Sequence, residues 1–282
     1  MTVRPQVTQA PKPSAVFTPP ASSPDDGPAP SAVPIPDRTA ESADTPADSA
    51  SKLGKGDPFP QPRLRLEIRD LDHPGSSKFL SSINISTVFS AAVQNVQRLL
   101  YRSPSERHTT CPPTRSVTLI LRDMGGVAYT TGTELDPDHK EIHFSLSYIN
   151  GINPPSRLTA EITGVLTHEL VHCYQWDARG SCPGGLIEGI ADWVRLNCDL
   201  SPPHWKREVD GDWDRGYQHT AYFLQYLETR FGEGTVRRVN DKLRLHKYDA
   251  KPFWTELLGR PVEQLYGDYC STEEAEGGKS SC

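Results

Sequence analysis

Two helical stretches separated by a Pro183-Gly184-Gly185 turn set the terms on which this 282-residue chain can fold. From Arg157 onward the apolar residues recur with a helical period, which predicts one helix over about 157–177 and a second over about 185–198. The glycines permit a tight reversal, so the second helix can pack back across the first. In "THELVHCY", His168 and His172 stand four apart and share one face, while Glu169 lies about 100° round the helix. In "GLIEGIADW", Glu188 and Asp192 are again four apart and share a face, and Leu186, Ile190, Trp193 and Val194 read as core.

The remainder of the chain is of two kinds. Of its 26 prolines, 14 fall in residues 1–62, among Ala, Ser, Asp and Thr. Such a stretch has too little apolar surface to offset the entropy of ordering it, so residues 1–62 are expected to be a disordered arm. Residues 63–270 are expected to form one globular domain, and 271–282 a flexible tail. A net charge of −6 gives no sign of nucleic-acid binding. Arg237, Arg238, Lys242, Arg244 and Lys247 read as a solvated helix face. No apolar run reaches the 18 or so residues that a membrane span needs. The first twenty residues lack the apolar core of a secretory signal, which predicts a cytoplasmic location or leaderless export. The six cysteines show no C-x-x-C spacing and read as free thiols; Cys182 with Cys198, or Cys270 with the tail, are the alternatives.

Before the helices come strands. "RLRLEIRDL" (63–71) alternates Leu64, Leu66 and Ile68 with charged residues, and "SVTLILR" (116–122) is an apolar, β-branched run expected at the centre of a sheet. Ile142, Phe144, Leu146 and Tyr148 alternate in 140–150, a third strand. The stretch "GGVAYTTGTELDPDHK" reads as loop, and "SSINISTVFSAAVQNVQRLLY" as helix. Strands first and helices afterwards predict an α+β domain.

The polar residues of the helix pair suit a zinc centre. Imidazole nitrogens bind zinc at about 2.0–2.1 Å, and side chains at i and i+4 converge on one ion. Two histidines leave the ion short of a third protein ligand, and Glu188 is the best candidate. Glu169 is placed beside the ion, where a carboxylate can take a proton from water. Asp192 can accept the free N–H of a ligand histidine and fix its tautomer. The strand at 141–149 could bind an extended peptide if it formed a sheet edge, with Phe144, Ser145 and Leu146 contacting substrate.

Ala178 stands where a metzincin would have its third histidine, whereas "LIEGIAD" resembles the third-ligand helix of the glutamate zincins. Taken together and in order, "GGVAYTTG", "THELVHCYQW", "GLIEGIADWVRL" and "GYQHTAYFLQYLETRFG" resemble the plant basic secretory protein family, also described as peptidases of plants and bacteria. The resemblance spans roughly 63–270. It implies a zincin-like metallopeptidase fold, N-terminal mixed sheet then helices, with Zn2+ held by His168, His172 and Glu188 and with Glu169 as base. In several glutamate zincins a tyrosine from a following helix supports the oxyanion, which makes Tyr217 the candidate here; His219 and Tyr222 compete with it. His204 and His219 lack helix-paired spacing and are not expected to be ligands.

The expected function is therefore zinc-dependent hydrolysis of peptide bonds in a peptide or protein substrate by a monomer. The alternative is a non-catalytic, zinc-containing peptide-binding or defence-related protein of the same fold. Three ligands and a water-activating glutamate favour the enzyme, because structural zinc sites are usually closed by four protein ligands.

Overall fold

The computed structural model of the chain describes residues 58–106 and 109–277. Residues 1–57 of the expected arm lie outside them. The elements run β1 (Arg63–Ile68), α1 (Pro74–Ser82), α2 (Ile85–Tyr101), β2 (Ser116–Arg122), β3 (Ala128–Gly132), β4 (His139–Ser145) and α3 (Leu146–Gly151). Six helices follow: α4 (Leu158–Tyr174), α5 (Gly184–Leu196), α6 (Tyr217–Phe231), α7 (Thr235–Leu245), α8 (Ala250–Leu258) and α9 (Val262–Gly277). A small mixed sheet followed by helices is the expected α+β architecture.

The sheet has the order β1-β2-β4-β3. β2 pairs in parallel with β1 and β4, and β3 closes the far side antiparallel to β4. The register sets Leu119 opposite Ile142 and Leu121 opposite Phe144, which makes one apolar sheet face. That face shares a core with Val93, Val96 and Leu100 of α2 and with Ile162, Leu166 and Leu170 of α4. α4 is buried along most of its length, including His168 and Glu169, because it has neighbours on several sides.

Several sequence expectations are corrected. The strand expected over 140–150 ends at Ser145, whose hydroxyl accepts from the Tyr148 amide and caps α3. Its apolar alternation ran on by coincidence into that short helix. β4 also lies between β2 and β3 and is not a sheet edge. Phe144, Ser145 and Leu146 are fully buried and cannot contact a substrate from there. The sheet edges are β1 and β3, the latter in a stretch expected to be loop. The helix expected through 81–101 is two helices, α2 starting afresh where Asn84 accepts from the Thr87 amide. At the ends, Phe59 packs edge-on against Tyr101 inside the expected arm, and α9 continues to Gly277 inside the expected tail. The five cysteines among the described residues are free, so Cys182 and Cys198 do not pair. No described helix is long and apolar enough to cross a membrane.

A buried ion cluster fixes α4 against α5. Glu161 accepts from Arg195 Nη2 at 3.1 Å, Arg157 Nη2 at 3.0 Å and the Tyr148 hydroxyl at 2.9 Å. Several hydrogen bonds to one buried carboxylate offset the cost of removing it from water. Gly164 leaves room for this, since a Cβ there would come within 2.6 Å of Arg195 Nε.

Candidate metal centre

α5 packs closely against α6 and the loop before it because its contact positions there are small. A Cβ on Gly185 would lie 1.6 Å from the Asp214 carbonyl oxygen, and one on Gly189 2.3 Å from Thr220 Cγ2. α5 is thus held between α4 and the start of α6, and its Glu188 is brought over the α4 histidines. His168 Nε2 is 3.0 Å from Glu188 Oε2 and 3.2 Å from His172 Nε2, and His172 Nε2 is 3.7 Å from the same carboxylate oxygen. Tetrahedral bonds of about 2.0–2.1 Å leave donor atoms about 3.3 Å apart, so these three atoms fit the corners around one small cation. Among the described residues they are the one group of three or more His, Cys, Asp or Glu side chains with metal-ligand proximity.

The surroundings prepare both imidazoles. Asp192 Oδ1 lies 2.6 Å from His168 Nδ1, which places the proton on Nδ1 and leaves Nε2 free to bind. Burial opposes charge on His168, but the bonded Asp192 and Glu188 carboxylates outweigh it and raise its pKa to about 10. Burial and the neighbouring His168 charge push His172 down to about 4. The side chain of Gln175 faces His172 Nδ1 at 3.0 Å through Nε2, while its own Oε1 is buried with no partner. A His172 that binds through Nε2 carries its proton on Nδ1. Turning the Gln175 amide lets Oε1 accept that proton and relieves the orphaned oxygen.

Glu169 is buried beside this group. Thr130 Oγ1 of β3 donates to its Oε2 at 2.7 Å, with the Glu169 carbonyl also in reach at 2.9 Å. Burial raises the carboxyl pKa, against the pull of His168 and Thr130. Tyr217 stands over the centre, its ring nearly parallel to that of His168 at 6.1 Å between centroids. It is 59% exposed, and its φ of 47° is a left-handed conformation uncommon for such a side chain. The competing candidates lie elsewhere. His219 Nε2 is engaged by the Asp210 carbonyl and the Tyr266 hydroxyl, and Tyr222 packs under Arg207. His204 lines the cleft but is not in the metal group.

All of this opens into a cleft of about 990 Å³ bounded by β3, α4, α5 and the start of α6. The family model described as "Peptidase of plants and bacteria" matches residues 61–269. The chain belongs to this family. No curated protein and no solved structure matches it. The basic secretory protein family is thus a peptidase family whose match spans every strand and all the side chains that gather at the cleft.

Thr130 and Gln175 escaped the sequence reading. The signal for Thr130 was the β-branched and aromatic run "VAYTTG" between glycines; for Gln175 it was its place one turn beyond His172.

Proposed function

We propose that the chain is a zinc-dependent peptidase that cleaves peptide bonds with Glu169 as general base. The observation that carries the reading is the convergence of His168, His172 and Glu188 within 3.0–3.7 Å beside a buried carboxylate at the wall of a peptide-sized cleft. Two imidazoles and one carboxylate are a donor set suited to zinc, and with three protein ligands the site resembles catalytic more than structural zinc. When bound, zinc supplies Lewis acidity and water whose pKa is lowered to about 7.

The protein's own groups do the rest. Glu169, with its proton affinity raised by burial, accepts the proton of the attacking water and delivers it to the leaving amine. Thr130 holds the carboxylate in place. Asp192 and Gln175 fix the two imidazoles. The Tyr217 hydroxyl donates toward the oxyanion that develops at the scissile carbonyl. A peptide in extended form adds along the free edge of β3, which carries Thr130 and so brings the chain past the base.

The test is Glu169→Gln on full-length protein, with metal analysis and a peptide library. The variant should keep one zinc per chain and lose at least about 100-fold in kcat, the range for a general base. A wild-type protein with zinc that cleaves nothing in the library refutes the reading.

A further inference from the structure

One end of the cleft holds an arginine of which the proposed reaction makes no use. About two helical turns from the metal centre Arg195 pairs with Glu161, and the Arg157 guanidinium, outside the cleft lining, draws on the same carboxylate, so Arg195 shares its counter-charge. Arg195, Glu161, Tyr148 and Trp205 all line the cleft that contains Glu169. Arg195 is held from three sides. Nε donates to the Leu200 carbonyl at 3.0 Å, Nη2 donates to Glu161, and the Trp205 ring covers the guanidinium with its centroid 5.4 Å from Cζ. Among the described residues Nη1 has no hydrogen-bond partner. A planar cation already immobilised, with its Nη1 amino group unspent, is well suited to a carboxylate.

We propose that this end of the cleft is a subsite for a carboxylate of the substrate, about three residues from the bond that is cut. The spacing follows from the helices. Glu161 precedes His168 by seven residues, and Arg195 follows Glu188 by seven, so cluster and centre are about 10 Å apart along both axes. An extended peptide covers that distance in about three residues. The carboxylate can be an Asp or Glu side chain or the α-carboxylate of a chain end. The proposal rests on the peptidase reading for its choice of ligand.

The test uses the zinc-loaded full chain carrying Glu169→Gln, which permits binding to be measured without turnover. Labelled peptides carry Glu or Gln three residues to either side of a cleavable bond, and a second set ends at that position with a free or amidated terminus. The Glu or free-acid form should bind at least about tenfold tighter in one of the two directions, and Arg195→Gln should bring the ratio close to one. Should Arg195→Gln fail to fold, loss of the preference in 0.5 M salt reads the same charge contact. The set that shows the preference identifies the source of the carboxylate. Equal or absent binding of charged and neutral forms overturns the subsite. Wild-type cleavage of the same peptides judges the peptidase reading separately, since charge-selective binding without cleavage refutes that reading and leaves the subsite standing.

Discussion

Asp192 shows how a residue outside the metal group sets the state of one within it. Its 2.6 Å contact with His168 Nδ1 fixes which nitrogen faces the centre. Asp192→Asn keeps the shape but removes the charge, and partners of this kind are worth about 10–100-fold in metal affinity. Competition with a chelator should show zinc binding weakened by that factor; a dissociation constant within twofold of wild type would mean the carboxylate is idle. At this scale much could be read from the sequence. The pairs His168–His172 and Glu188–Asp192, with Glu169 beside the first, follow from helical spacing, since a helix fixes where i and i+4 point. Bringing Glu188 to the histidines also needed the Pro-Gly-Gly reversal and the family resemblance. Thr130 could not be read, because it reaches Glu169 from a strand 39 residues away and no local period encodes that approach. Tyr217 was chosen by analogy, and the packing around Gly216 that sets it over His168 was not visible.

Among the elements, the close approach of α5 and α6 is the feature on which the site's shape depends. Thr220 Oγ1 donates to the Trp213 carbonyl and accepts from the Gly216 amide, which ties the loop before Tyr217 to the helix that carries it. Gly189→Ala would drive a methyl into Thr220 and should cost about 1–3 kcal/mol by overpacking. Gly151→Ala, where a Cβ meets nothing within 4 Å, is the control. Urea midpoints compare the two, and equal stabilities would remove the argument. The sequence signalled the long, strongly periodic helices well and the sheet less well. β3 alternates between half-buried and exposed positions, as an edge strand does, so its apolar signal is weak. The β4 pattern was sound over Ile142 and Phe144, but a serine cap turned the chain before the alternation stopped.

For the molecule as a whole, its thiols make folding sensitive to alkali. Burial pushes both Cys111 and Cys182 up to about 12, against about 8.5 in an unfolded chain. Below about pH 8.5 both states keep the proton, and the stability from these groups is fully present. As pH rises from there toward 12, the unfolded chain loses its protons first, so stability falls, by at most about 1.4 kcal/mol per pH unit for each thiol. Denaturant unfolding at pH 7, 8.5 and 10 should show this decline, and Cys111→Ala should flatten it; a slope unchanged by the substitution would place its cause elsewhere. The unpaired edge of β3 has a further consequence for what such a protein could digest. A strand can be added only by a partner whose own backbone hydrogen bonds are free, so compact proteins would be refused at the door while frayed ends, linkers and nascent or heat-damaged chains were admitted. Selection would then fall on the conformational state of the victim before any side chain was read, and the rate of destruction would follow how often each protein comes undone by itself.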